Sequence, residues 1–128
     1  MLKKLSCLML TVCLVLLIPM TAQAKAPTKL TKKGGVFYYN GQKETWYNLR
    51  MDKVYAKADK NFGSHHKKWI REDGVKCYGP YIVLAVNYRK YPYGTTDIPT
   101  SLGLGIALDT GAFATEDNLD QIDIAVDW

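Results

Sequence analysis

Two segments near the carboxyl end constrain the fold of this chain most strongly, because each has the pattern of a β-strand and each carries an aspartate. Leu104 to Asp109 is a glycine-spaced apolar run that ends in an Asp-Thr-Gly turn, and Ile122 to Val126 alternates around Asp123. An apolar run bounded by turn residues is typical of a buried strand, and alternation is typical of a half-buried one. The sequence therefore predicts a mainly β protein with two carboxylates on strands.

The first 24 residues have the layout of a bacterial secretory signal peptide. Two lysines precede an apolar stretch from Leu5 to Ile18, and Ala22-Gln23-Ala24 is a small-x-small cleavage site. The apolar stretch is short for a membrane span, which needs about 20 residues. We expect removal of residues 1–24, no stable membrane anchor afterwards, and a protein that is secreted or associated with the cell wall.

Removing 24 of the 128 residues leaves 104, which is enough for one domain. Only one of the three cysteines, Cys77, remains, so no internal disulfide can form in the mature chain. We expect Cys77 to be buried as a small apolar residue, because no His base and orienting group frame it as a nucleophile.

Charge is unevenly distributed along the mature chain. All 15 basic residues that remain lie at or before Lys90, whereas seven of the 12 acidic residues follow it. The basic part can attract anionic wall polymers, although a solvated surface accounts for most of these lysines. We expect no nucleic-acid partner, and the oligomeric state does not follow from the sequence.

The pass along the chain predicts a flexible basic leader over 25–34 and a folded domain over 35–128. Asn40-Gly41 separates two β-prone segments, which indicates a hairpin. The spacing of Val54, Ala58 and Phe62 indicates one short helix or helical turn that starts near Asp52. Further predicted elements are a surface loop over 63–68, a turn over 71–74, a buried central strand over 81–87 and a loop over 90–99.

No cofactor or metal is expected. His65 and His66 are adjacent, so their side chains point apart on a strand and about 100° apart on a helix. No companion Cys, His or Asp lies at the spacing that a zinc site requires. We interpret the two histidines as part of a solvated loop.

The order of several motifs resembles the double-psi β-barrel superfamily, and within it the three-aspartate domains of secreted Gram-positive proteins. The resemblance covers about Gly35 to Trp128. It is carried by the segments Glu44-Thr-Trp-Tyr-Asn-Leu, Asp73-Gly-Val, Tyr81-Ile-Val-Leu-Ala-Val, Thr100-Ser-Leu-Gly-Leu-Gly-Ile-Ala-Leu-Asp-Thr-Gly and Ile122-Asp-Ile-Ala. It implies a small six-stranded double-psi β-barrel.

The resemblance also implies a function, because this family includes lytic transglycosylases that cleave peptidoglycan glycan strands. By resemblance, Asp123 is the catalytic acid and base, and Asp109 supports it. Such an enzyme needs one carboxylic acid, which protonates the glycosidic oxygen and then deprotonates the muramyl 6-hydroxyl, whereas hydrolases use a carboxylate pair. The predicted substrate contacts are Thr110, Gly111, Tyr81, Trp46 and Asp120.

The chain departs from the family pattern between the two acids. The connection over 111–121 is longer and acidic, has no lysine or arginine, and places Asp120 as a rival to Asp123. An Asp-Thr-Gly also occurs in aspartic proteases, but their chemistry needs a dyad and this chain has one copy.

Two further interpretations remain open at this point. In a purely structural one, Asp109 caps its turn with Thr110, and Asp123 points away from Ile122 and Ile124 into solvent. In the other, the protein is a non-catalytic module that binds the cell wall, a carbohydrate or a partner, and its aromatic residues stack on sugar rings.

Overall fold

The computed structural model describes residues 25–128, which form a mainly β structure with one helix. The predicted signal peptide over 1–24 lies outside the described residues. No helix within 25–128 is long and apolar enough to cross a bilayer. The elements are β1 (Phe37–Tyr39), β2 (Gln42–Tyr47), α1 (Asp52–Phe62), β3 (Lys68–Ile70), β4 (Lys76–Tyr78), β5 (Tyr81–Ala85), β6 (Ile98–Thr100), β7 (Gly103–Asp109) and β8 (Gln121–Ala125).

The eight strands form one sheet, in the order β1-β2-β8-β5-β4-β3, from which β7 and β6 branch at β5. The pairs β2–β8 and β5–β7 are parallel, and β5–β8 is antiparallel. The sheet is open, because within 25–128 no backbone ladder joins β6 to β1 or β2. The sheet contains eight strands, so the predicted count of six is wrong.

The predicted hairpin is confirmed as β1–β2. Tyr39 pairs with Gln42 across a two-residue turn. Asn40 and Gly41 both have positive φ, 50° and 77°. A type I′ turn needs positive φ at both central positions, and Asn-Gly supplies it at low steric cost.

Strand β5 is the centre of the sheet, as its continuous apolar sequence predicts. It pairs with β4, β7 and β8. Its side chains alternate between two apolar clusters, so both faces of the strand are covered. One cluster, the inner core, contains Leu30, Val75, Cys77, Ile82, Leu84, Val86, Ile98, Ala107, Ile122, Ile124 and Val126.

The second cluster, the helix-side core, lies on the opposite face of the sheet. It contains Met51, Ala58, Tyr78, Val83, Ile106, Leu108 and Ala125. Helix α1 covers this face through Ala58, which is fully buried. The helical spacing from Val54 to Phe62 is therefore confirmed, and the packing of its small central residue allows the helix to approach the strands.

Three short strands were not predicted. β3 and β4 form a hairpin around the predicted turn, where Gly74 N–H donates to the Arg71 carbonyl oxygen and Gly74 has a φ of 88°. β6 begins within the segment that was predicted as a loop and contains Pro99 at a sheet edge, where a residue without an N–H is tolerated. Cys77 lies on β4 and is buried, as expected.

The leader prediction needs correction. Leu30 is 1% exposed and belongs to the inner core, and its N–H donates to Ser101 Oγ at 2.9 Å. The packed domain therefore begins before Gly35. The polar, lysine-rich composition of the segment concealed the one apolar side chain that anchors it.

Side chains span the gap between β2 and β6. Glu44 is fully buried, and its carboxylate accepts hydrogen bonds from both the N–H and the hydroxyl of Ser101. Gln42 Nε2 donates to the Pro99 carbonyl oxygen at 3.4 Å. We call this set of contacts the seam, and it brings the two strands together without a backbone ladder.

Candidate functional site

Asp109 and Asp123 lie on either side of the same residue of β5. Asp109 ends β7, Asp123 lies in the middle of β8, and both pair with Ala85. Two strand spacings separate their backbones by roughly 10 Å. Since directly paired residues project to the same face, both carboxylates lie on one side of the sheet, on either side of Ala85.

A β-bulge brings Asp109 to this face. Leu84 pairs with Ala107, but Ala85 pairs with Asp109, so Leu108 is an extra residue in β7. Without the shift, alternation would place Asp109 on the face of Ala107, which belongs to the inner core. Bulges re-aim side chains in this way. The site therefore depends on one inserted residue.

Asp123 is half-buried and points away from Ile122 and Ile124, as alternation predicts. It therefore does not point freely into solvent. Burial raises the pKa of its carboxyl above the ordinary value of 3.8, and the negative charge of Asp109 raises it further. A hydrogen bond from Thr45 Oγ1, 3.0 Å from Asp123 Oδ1, opposes these effects. The carboxyl is therefore biased towards its protonated form.

A short chain of polar side chains fixes the Thr45 hydroxyl. Gln121 Nε2 donates to Thr45 Oγ1 at 3.2 Å, and Asn118 Nδ2 donates to Gln121 Oε1 at 2.8 Å. Thr45 accepts one hydrogen bond and uses its single proton towards Asp123. Asn118 lies in the loop between Asp109 and Asp123, so this loop helps to fix the rotamer of Asp123 through Gln121 and Thr45.

Asp109 accepts two hydrogen bonds. Thr110 N–H donates to Oδ1 at 2.9 Å, and the Tyr47 hydroxyl donates to Oδ2 at 2.9 Å. The first is the local turn contact of the structural interpretation, while the second reaches across the sheet from β2. Burial, and then the charge of Asp109, raise the pKa of Tyr47 well above its ordinary value, so its hydroxyl remains a donor.

Tyr88 lies close enough to be affected by the same carboxylate. Burial, and then the charge of Asp109, raise the pKa of Tyr88 to about 12. Tyr47 and Tyr88 thus place neutral hydroxyls near the acids. Strand β2 contributes both Thr45 and Tyr47 to the site, because residues two positions apart lie on the same face of a strand. That spacing was the sequence signal that could have identified both residues.

The other predicted substrate contacts lie in three places. Thr110 and Gly111 are exposed and follow Asp109 directly, and Asp120 is exposed and forms an ion pair with Lys90. Trp46 projects to the opposite face, where it packs edge-on against Trp128 at 5.7 Å. Tyr81 begins β5, four residues before Ala85.

The histidines form a contact that was not expected. The rings of His65 and His66 lie 4.1 Å apart, and His66 Nε2 is 3.1 Å from the Phe62 carbonyl oxygen. The carbonyl can only accept, so Nε2 carries the proton. Within residues 25–128, no three His, Cys, Asp or Glu side chains come together in a group suited to a metal ion.

No family model, curated protein or solved structure matches this chain. The function is therefore inferred from the chemistry around Asp109 and Asp123. A carboxyl with a raised pKa beside a second carboxyl, on a face that also carries two tyrosine hydroxyls, is an arrangement suited to general acid catalysis.

Proposed function

We propose that this protein is a secreted bacterial cell-wall protein that cleaves peptidoglycan glycan strands as a lytic transglycosylase. The observation that carries the proposal is the pairing of Asp109 and Asp123 with Ala85, together with the raised pKa of Asp123. A general acid must hold its proton near the working pH, and burial with a neighbouring carboxylate is the usual means.

The reaction needs only one acid. Protonated Asp123 donates its proton to the glycosidic oxygen, the bond from that oxygen to C1 of the muramyl ring breaks, and the alcohol leaves. The Asp123 carboxylate then takes the proton of the muramyl 6-hydroxyl, whose oxygen attacks C1. The product is a 1,6-anhydro ring, Asp123 regains its proton, and no water is consumed.

Asp109 serves this cycle without touching the reacting bond. Its charge raises the pKa of Asp123 and favours the positive charge that develops at C1. Tyr47 holds Asp109 in place from β2, and Thr45 holds Asp123. We infer that Thr110 and Gly111, exposed beside Asp109, contact the glycan.

The double-psi β-barrel belongs to the same proposal. Two parallel pairs, β2–β8 and β5–β7, flank an antiparallel junction between β5 and β8. The seam then brings β6 beside β2. These features support a barrel that side chains, rather than a ladder, complete.

The test is digestion of purified peptidoglycan by the mature protein, followed by mass spectrometry. We expect anhydromuramyl products from the wild type and from an Asp127→Asn control, whose carboxyl is exposed. We expect none from Asp123→Asn. Products that persist in Asp123→Asn would assign the acid elsewhere, and reducing muramyl ends would indicate a hydrolase.

A second candidate function is a non-catalytic wall-binding module. The observation that favours it is that both carboxylates already have hydrogen-bond partners in Thr45 and Tyr47. In that case none of the folded proteins would release products, and all of them would sediment with purified sacculi at moderate salt.

A further inference from the structure

A separate pocket opens on the helix-side face of the sheet. It has a volume of about 200 Å³, and its walls are almost entirely apolar. Pockets that bind small ligands combine such walls with a few fixed polar groups. The lining includes Phe62, Tyr78, Tyr81, Gly94, Thr96 and Ile106, and His66 and Pro80 complete it.

The loop between β5 and β6 shapes this pocket around Gly94. Gly94 has a φ of 85°, and a Cβ there would lie 2.6 Å from Phe62 Cζ. Its N–H donates to the Ala107 carbonyl oxygen at 2.7 Å, which ties the loop to β7. A side chain at this position would displace the Phe62 ring, so glycine keeps the wall in place.

A carboxylate is hydrogen-bonded to two of the residues that line the pocket. Asp97 Oδ2 accepts hydrogen bonds from the hydroxyls of Tyr81, at 3.1 Å, and Thr96, at 2.9 Å. Asp97 is exposed and has a positive φ of 58°, a conformation that Asp tolerates better than most residues. Two pocket residues thus orient one exposed carboxylate beside an apolar cavity.

The pocket and the aspartate pair lie on the same face of β7. Ile106 lines the pocket, and Asp109 follows three residues later, or about 10 Å along a strand. Aromatic contacts connect the two regions, because Tyr93 stacks on Phe62 at 5.6 Å and meets Tyr88 edge-on at 6.0 Å. One short oligosaccharide can therefore reach both places.

We propose that this pocket is a glycan subsite that binds a neutral N-acetylated hexosamine ring, remote from the bond that is cleaved. The inference rests on the proposed function. Phe62, Tyr81 and Ile106 supply the apolar surface against which a sugar ring and its acetyl methyl pack, and Asp97 accepts hydrogen bonds from ring hydroxyls. The negative charge of Asp97 disfavours a sugar that carries its own carboxylate, so the occupant is the glucosamine-type residue rather than the muramic one.

The test measures binding of tetra-N-acetylchitotetraose to the mature protein by calorimetry and by amide chemical shifts. We expect saturable binding, with shifts at Gly94, Thr96 and Ile106. Thr96→Phe, which fills the pocket from an exposed position, is expected to abolish binding. Asp97→Gly, which suits the positive φ but removes the acceptor, is expected to weaken binding about tenfold, and Asp127→Asn to leave it unchanged.

The outcomes separate the two proposals. Wild-type binding that is unchanged in Thr96→Phe and Asp97→Gly would overturn the subsite, while anhydromuramyl products would still support the proposed cleavage. Binding that depends on Thr96 and Asp97 without any wall cleavage would keep the subsite in a non-catalytic module. No binding of the tetrasaccharide at millimolar concentration by the folded wild type would overturn the subsite. Thermal unfolding of each variant verifies that it is folded.

Discussion

Burial and a neighbouring charge act on the carboxyl of Asp123 in the same direction. Both raise its pKa in the folded protein, so the folded state holds this proton more tightly than the unfolded state. The stability that follows from this is fully present below the ordinary value of 3.8. It is lost as the pH rises through the raised, folded-state pKa.

The first prediction concerns stability and pH. Asp123→Asn removes the buried charge, so we expect a higher melting temperature than that of the wild type at pH 7. The difference should shrink as the pH falls through the raised pKa of Asp123, because the wild-type carboxyl becomes protonated there. Thermal unfolding at several pH values measures this. A difference that is constant with pH, or equal in the Asp127→Asn control, would contradict the raised pKa.

The second prediction concerns Tyr47. Tyr47→Phe leaves Asp109 Oδ2 without its cross-sheet donor, which we expect to cost about 1 kcal/mol of unfolding free energy. It should also lower the rate of wall digestion, because Asp109 is held less firmly. Tyr38→Phe is the matched control, since Tyr38 is 70% exposed. Equal effects of the two substitutions would show that the Tyr47 hydroxyl has no role in the site.

At the scale of elements, the sequence predicts those helices, strands and turns that a hydrophobic period or a turn motif marks. The Asn40-Gly41 hairpin, the helix around Ala58 and the buried run of β5 all follow from local patterns. The strands β3, β4 and β6 were missed, because three residues are too few to show a period. The bulge at Leu108 is set by the pairing of β7 with β5, which no local pattern contains.

In the candidate site, too, local patterns predict some features and strand pairing determines the others. Asp109 and Asp123 can be identified as strand residues, and the direction of Asp123 follows from Ile122 and Ile124. Their meeting at Ala85 cannot be predicted, because it depends on which strands are neighbours. Tyr47 and Trp46 illustrate the consequence, since the tryptophan that was predicted faces the inner core and the tyrosine that was not predicted contacts Asp109.

The third prediction concerns the contact between β5 and β7. A Cβ at Gly105 would lie 2.3 Å from Leu84 Cδ1 and 3.2 Å from the Ile82 carbonyl oxygen. We expect Gly105→Ala to lower the free energy of unfolding by about 2 kcal/mol, as overpacking of a core does. Denaturant unfolding measures it. Gly111→Ala is the milder control, because this turn is exposed and a Cβ there would lie 3.1 Å from Phe113 Cε1, so an equal loss there would argue against the close approach.

At the scale of the whole molecule, the two cores are enclosed by different kinds of contact. Backbone ladders and α1 close the helix-side core, whereas the inner core is closed between β2 and β6 by the seam. None of the ion pairs in the described part of the chain involves Glu44, so the Ser101 hydrogen bonds are what compensate its burial. Leu30 adds its side chain at the same place.

The fourth prediction follows from that closure. Glu44→Ala leaves the Ser101 N–H without its acceptor and opens a cavity, so we expect a loss of about 2 kcal/mol or more of unfolding free energy. Glu72→Ala, at an exposed position, should change it by less than about 0.5 kcal/mol. Denaturant unfolding compares the two. Equal midpoints would show that the seam does not hold the fold together.

The seam joins β2 to β6 and Ser101 through the side chains of Glu44 and Gln42 rather than through a backbone ladder. The hydrogen bonds of a backbone ladder can break one pair at a time. Here the Glu44 carboxylate accepts both hydrogen bonds from Ser101, and the Ser101 hydroxyl oxygen accepts the hydrogen bond from Leu30 N–H. The amide hydrogens of Leu30 and Ser101 should therefore exchange with solvent together and earlier than those of β5, in hydrogen-exchange measurements. Such a domain can loosen at one edge while the strands that carry Asp109 and Asp123 stay in register.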